Sequence, residues 1–145
     1  MDLRVVTPEL FAQWKRLRDS LYSGLDDAEH EREMNAIARA SDQICFVAVA
    51  DGDQVLGFIE LSLRSSVDGC ASSPVGYVEG LFVIPKWRRQ GIGKALLARA
   101  MDWFREAGCT EMAADAEIDD IATQRYWTCV GFEEIWRIVQ FRRAL

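Results

Sequence analysis

The chain has 145 residues, half of them apolar, and a formal net charge of −6. That length and apolar share suit one domain, residues 1–145, with a full core, and exclude a disordered chain. The acidic balance excludes the basic footprint that a nucleic-acid backbone demands and permits a cationic partner, although a modest negative charge also serves simple solubility.

In chain order, LRVV predicts a first strand. Thr7, Pro8 and Glu9 read as an N-cap, a first-turn proline and an early acid. Leu10, Phe11, Trp14, Leu17 and Leu21 recur at helical spacing, predicting a helix to about Tyr22, which Ser23 and Gly24 end. LDDAEHEREMNAIARA predicts a second helix, acidic at its start as the macrodipole favours. ICFVAVA and VLGFIELSLR are strands joined by the turn DGDQ. SSVDGCASSP is a loop and GYVEGLFVI a strand, with Gly80 marking a bulge or a close backbone approach. Ile92, Leu96, Leu97, Ala100, Met101 and Phe104 form one face of a further helix, stopped by Gly108. TEMAADA is a strand, DDIATQRYWTCV a helix ended by Gly131, and FEEIWRIVQFRR a last strand. The order β-α-α-β-β-β-α-β-α-β predicts a single α/β domain whose central sheet is mixed, partly antiparallel and flanked by helices.

No apolar run approaches the roughly 20 residues that span a bilayer. MDLRVVTPEL lacks the apolar stretch of a signal peptide, so a cytoplasmic protein without a membrane partner is expected. Cys45, Cys70, Cys109, Cys129 and the single His30 form no clustered ligand set. No metal site is expected, and the cysteines read as free intracellular thiols.

The segment VEGLFVIPKWRRQGIGKALL puts Arg88, Arg89, Gly91 and Gly93 at the mouth of a helix. Glycines let the backbone turn tightly and approach a ligand. A helix N-terminus carries unpaired N–H groups and the positive dipole end, so anions bind there. With Lys94 nearby, the turn suits a pyrophosphate; a plain strand-to-helix turn with solvated arginines is the simpler alternative. The spacing R-x-x-G-x-G fits neither a dinucleotide-binding fingerprint nor a Walker A loop.

With its flanking strand and helix and the later Gly131-Phe132, RRQGIGKALL resembles the GNAT superfamily of acetyl-CoA-dependent N-acetyltransferases, over nearly the whole chain. The resemblance implies that Arg88, Arg89, Gln90, Gly91, Ile92, Gly93 and Lys94 hold the coenzyme pyrophosphate. It also implies that Leu81, Phe82 and Val83 pair with the pantetheine arm and polarise the thioester carbonyl.

Within the superfamily, WKRLRDSLY, ADGDQVLGFIELSLR, DGCASSPVGYVEGLFV, GCTEMAADA and GFEEIWRIVQFRR resemble the bacterial aminoglycoside 6′-N-acetyltransferases in order and spacing. The resemblance implies a cationic acceptor, an aminoglycoside, and places Glu79 and Asp115 at its site. An acid within YVEGLFV is costly unless paired or open to a cleft, and Asp115 ends a strand where α/β sites form. Tyr22 and Asp26, with Asp27, follow the first helix in a region that forms part of the acceptor cleft in this family. Capping of the second helix is the simpler reading of the two aspartates.

The implied mechanism is direct attack of the acceptor amine on the thioester. A backbone N–H near Leu81–Val83 stabilises the oxyanion, and Glu79 or Asp115 takes the amine proton, through water, or anchors neighbouring ammonium groups. Many GNAT enzymes carry an acidic tyrosine four residues before the Gly131 position. Here Trp127 stands there, and Tyr126 is expected to point elsewhere on the helix, so the thiolate leaves without that acid.

Three features depart from the family pattern. The loop RSSVDGC is one residue short. Trp136 stands where a glutamate is common on the acceptor wall, and Asp120 stands where an asparagine is common near the coenzyme. The first two narrow the acceptor range or point to another small amine or peptide. A non-catalytic acetyl-CoA-binding module is the remaining alternative. In close relatives a C-terminal strand joins two subunits, so the segment Glu133 to Arg143 implies a homodimer.

Overall fold

In the computed structural model, which describes residues 1–145, one sheet carries β1 (Asp2–Val5), β2 (Gln43–Ala50), β3 (Gln54–Arg64), β4 (Val75–Val83) and β5 (Met112–Ala114) in chain order. The first four pair antiparallel. β5 lies parallel to β4, because a helical crossover, α3 (Ile92–Glu106), separates them. The tight turn between β2 and β3 uses positive φ at Gly52 and Asp53. The expected mixed, partly antiparallel sheet is therefore present.

β2 explains why its sequence is apolar without a break. Successive residues of a strand face opposite sides. Cys45, Val47 and Val49 pack with Trp14, Leu17, Met34 and Ile37 from α1 (Phe11–Leu21) and α2 (Asp27–Arg39). Phe46 and Ala48 pack with Leu96, Leu97, Ala100 and Phe104 of α3 on the other face. Leu96 is fully buried there, so Leu96→Ala would cost about 2–5 kcal/mol through lost transfer energy and a cavity. The last helix, α4 (Ile121–Cys129), is capped by Asp120, whose carboxylate accepts from Thr123 N–H.

Two boundaries differ from expectation. Thr7 caps a 3₁₀ turn, Pro8–Leu10, without a side-chain bond, and α1 begins only at Phe11. The strand expected over 110–116 is paired only at Met112–Ala114.

The strand expected over FEEIWRIVQFRR is not formed. A strand requires a ladder, and no strand of this chain pairs with that segment. Ile138, Val139 and Phe141 stand exposed, Phe141 at 92%.

Candidate active site

The site begins with a bulge. Leu61 faces Val78 and Glu60 faces Gly80, so Glu79 is an extra residue with no partner on β3. This is the irregularity expected near Gly80. Tyr22 is packed against it: a Cβ on Gly80 would lie 1.9 Å from the Tyr22 hydroxyl. That hydroxyl donates to Glu60 Oε1 at 3.0 Å and lies 3.4 Å from the Glu79 carbonyl. Burial pushes the phenol pKa up, so it stays a donor.

Glu60 is buried and accepts three further contacts. Arg18 Nη1 lies 2.6 Å from each carboxylate oxygen, and Trp14 Nε1 donates at 2.9 Å. Arg18, fully buried, also pairs with Glu33, donates to His30 Nδ1 and stacks beneath the Tyr22 ring. An ion pair this deep offsets its desolvation only through such bonds, and loss of one partner costs about 3–5 kcal/mol. The network braces the underside of the bulge.

β4 and β5 part at the bulge. Their pairing ends at Val78 and Ala114, whereas β4 runs on to Val83. Leu81, Phe82 and Val83 thus offer a backbone edge unpaired on the β5 side. Glu79 and Asp115 are the first residues past the last pair, one on each lip. Side chains link them. Ser62 Oγ donates to Glu79 Oε1 at 2.5 Å, and Arg64 Nη2 donates to both carboxylate oxygens at 2.9 and 3.0 Å. The Arg64 guanidinium lies 3.5 Å over the Tyr77 ring. The Tyr77 hydroxyl donates to Asp115 Oδ2 at 2.7 Å. Burial first, then the Asp115 bond, pushes the Tyr77 phenol pKa up, so it also stays protonated.

The glycine turn follows β4. Arg88 Nε donates to the Val83 carbonyl at 2.8 Å, bracketing the strand end. Arg89 and Gly91 take positive φ, 62° and 85°. Gly91 is the N-cap of α3 and supplies no capping side chain, leaving the first-turn N–H groups to an external acceptor. Nothing crowds Gly91, and a Cβ on Gly93 would meet only the Tyr126 hydroxyl, at 3.4 Å, and Val83 beyond it. Arg89, Gln90 and Lys94 are exposed around the turn, while Ile92 points into the core. An uncapped 15-residue helix behind an uncrowded turn, beside a free strand edge, fits a pyrophosphate with an extended amide-bearing arm.

Tyr126 does not turn away as expected. Its hydroxyl reaches the glycine turn, 3.4 Å from where a Cβ on Gly93 would stand. Trp127 instead packs on Phe132 and donates from Nε1 to the Asp115 carbonyl at 3.0 Å, holding that lip.

Other expected site residues lie apart from the two carboxylates. Asp26 is the N-cap of α2 in a reciprocal capping box with Glu29. Asp27 is bound to Lys15. Both Asp120 oxygens accept from Thr123. Trp136 is exposed at 59% in the C-terminal segment, next to Ile135, which packs close on Gly69 of the β3–β4 loop. Sequence reasoning missed Ser62, Arg64 and Tyr77. Ser62 and Arg64 share a strand face with Glu60 by period two, but their reach to Glu79 depends on the bulged register.

The chain matches the model of the acetyltransferase (GNAT) family over residues 11–132. It is 40% identical over 144 residues to an aminoglycoside N(6′)-acetyltransferase type 1 of Stenotrophomonas maltophilia, covering 99% of this chain and 93% of that protein. It is 36% identical over 144 residues to one of Salmonella enteritidis, covering 99% of each. Among solved structures, AAC(6′)-Iy in complex with the bisubstrate analogue CoA-S-monomethyl-acetylneamine superposes with a TM-score of 0.92 at 35% identity, covering 99% of this chain and 98% of that one. The apo aminoglycoside 6′-N-acetyltransferase of Acinetobacter haemolyticus superposes with a TM-score of 0.95 at 30% identity, covering 100% of this chain and 99% of that one. With its open strand edge, uncapped glycine turn and full-length kinship, the chain belongs to the GNAT acetyltransferase family, in the branch of the aminoglycoside 6′-N-acetyltransferases.

Proposed function

We propose that the protein transfers the acetyl group of acetyl-CoA to the 6′-amine of an aminoglycoside and so confers resistance to that antibiotic. The observation that carries this reading is the pair of carboxylates, Glu79 and Asp115, on the two lips of the opening between β4 and β5. Two acids beside a glycine turn suited to a pyrophosphate suit a polycationic acceptor next to an anionic coenzyme.

Acetyl-CoA supplies an activated acetyl group. Arg88 to Lys94 hold its pyrophosphate, and Leu81 to Val83 pair with its arm and offer the N–H that meets developing negative charge. The Tyr126 hydroxyl, held protonated by burial, stands at the same turn as a donor for the coenzyme. Glu79 and Asp115 bind ammonium groups of the acceptor and orient the reacting amine, which supplies much of the rate. One of them takes the amine proton through water. Tyr22 acts from beneath by holding the bulge, while Asp26 and Asp120 cap their helices.

The protein works in the cytoplasm, where acetyl-CoA is available and where its four free cysteines stay reduced. No helix is long and apolar enough to cross a membrane. It works as a homodimer, in which a second copy covers the unpaired C-terminal segment with its exposed Ile138, Val139 and Phe141. The reading is tested by incubating the protein with acetyl-CoA and kanamycin and locating the new amide by NMR. A single acetyl group on the 6′-nitrogen is expected; acetylation at another amine would overturn the regiochemistry.

A further inference from the structure

The two acceptor-site carboxylates are not equivalent. Glu79 already has a cation. Arg64 reaches it with Nη2 at 2.9 and 3.0 Å and with Nε at 3.3 Å, and Ser62 adds a hydroxyl donor. Asp115 has only the neutral Tyr77 hydroxyl on its carboxylate, and no cationic side chain lies within salt-bridge range of it.

Arg64 is placed to stay but not to stay permanently. Its guanidinium carbon lies 3.5 Å over the centroid of the Tyr77 ring, a cation–π contact that keeps it over the opening whether or not Glu79 holds it. The Arg64 and Glu79 side chains remain 42% and 36% exposed, and an ion pair half in water exchanges readily with an incoming cation. The guanidinium occupies the carboxylate face that an acceptor ammonium would need.

We propose that Arg64 is an internal competitor of the acceptor and determines specificity by charge. It neutralises Glu79 in the free enzyme, and only an acceptor with an ammonium group to spare, beyond the one engaged at Asp115, displaces it. The proposal rests on the reading of the acceptor as a polycation. A competitor, once removed, tightens acceptor binding; an orienting arginine, once removed, loosens it.

The test is calorimetric binding of kanamycin to the wild type, Arg64→Gln and Arg64→Lys, in the presence of coenzyme A, at two salt concentrations. Arg64→Gln is expected to lower the acceptor Kd by about 3–10-fold at low salt. It should also steepen the salt dependence, because Glu79 then carries an uncompensated charge. Arg64→Lys keeps the charge but loses the multidentate hold on Glu79, so its Kd is expected to fall between those of the wild type and Arg64→Gln. The affinity for coenzyme A, measured separately, is expected to be the same in all three, which also shows that the variants are folded. A Kd raised or unchanged in Arg64→Gln, with coenzyme affinity intact, overturns the proposal while leaving the acceptor reading in place. Absence of kanamycin binding and turnover in the wild type removes the acceptor reading, and the proposal falls with it.

Discussion

The hydroxyl of Tyr22 occupies the space that a side chain at residue 80 would need: a Cβ there would stand 1.9 Å from the oxygen, with Leu21 also close. Glycine at 80 and tyrosine at 22 therefore act as one unit beneath the bulge that presents Glu79. Gly80→Ala is expected to destabilise by about 1–3 kcal/mol through overpacking and to lower kcat/KM. Adding Tyr22→Phe removes the offending oxygen. The double variant should then be more stable than the sum of the singles by at least about 0.5 kcal/mol. Strict additivity in denaturant melts would sever the link between the two residues.

The carboxylates should separate kinetically. In the acceptor complex the spare ammonium that displaces Arg64 occupies Glu79, which leaves Asp115, with only the Tyr77 hydroxyl on its carboxylate, beside the reacting amine as the proton acceptor. Asp115→Asn is expected to lower kcat by about 10²-fold, the usual scale for general-base catalysis. Glu79→Gln is expected mainly to raise the acceptor KM. Steady-state kinetics with the effects reversed would reassign the base, and an unchanged kcat/KM for Glu79→Gln would remove it from the site.

Glu111 pins the β3–β4 loop, accepting from the N–H groups of Ala71 and Ser72 and from the Ser72 hydroxyl. Those bonds, the Ser72 hydroxyl foremost, hold its carboxyl pKa below the usual range. A depressed folded-state pKa gives stability that is complete above the unfolded-state value and is lost as pH falls through the folded one. The wild type should therefore melt above Glu111→Gln by a constant margin from pH 8 to about pH 5, and the margin should close on further acidification. A margin that widens as pH falls would contradict this.

The C-terminal segment has a strand pattern, apolar exposure and no ladder within its own chain. Sedimentation or light scattering is expected to give a dimer at micromolar concentration, and deletion of residues 133–145 a monomer. A monomeric full-length chain would refute the dimer.

Much of this architecture is legible in the sequence, because periodicity reports which face of an element is buried. The unbroken ICFVAVA run is a strand with helices on both sides, and Gly80 does mark a bulge. The glycine turn is legible because glycine takes positive φ without strain and, at a helix mouth, leaves the first N–H groups without a capping side chain. Other features depend on register or on partners. Arg64 reaches Glu79 only because the bulge displaces one residue, which no single strand discloses. The C-terminal strand pattern is real, but the ladder that would realise it is not within the chain. Arg18 was readable in part: it lies on the Trp14–Leu17–Leu21 stripe of α1, and Glu60 sits inside VLGFIELSL. Two opposite charges stranded on apolar faces imply a pair, but the sequence does not say that they meet.

The most direct test of the central claim is the initial rate of free thiol release from acetyl-CoA with kanamycin as acceptor, against a matched derivative lacking the 6′-amine. Rapid release with kanamycin that vanishes with the derivative is the predicted result. Equal rates with both, or no release with kanamycin while acetyl-CoA still binds, would contradict it.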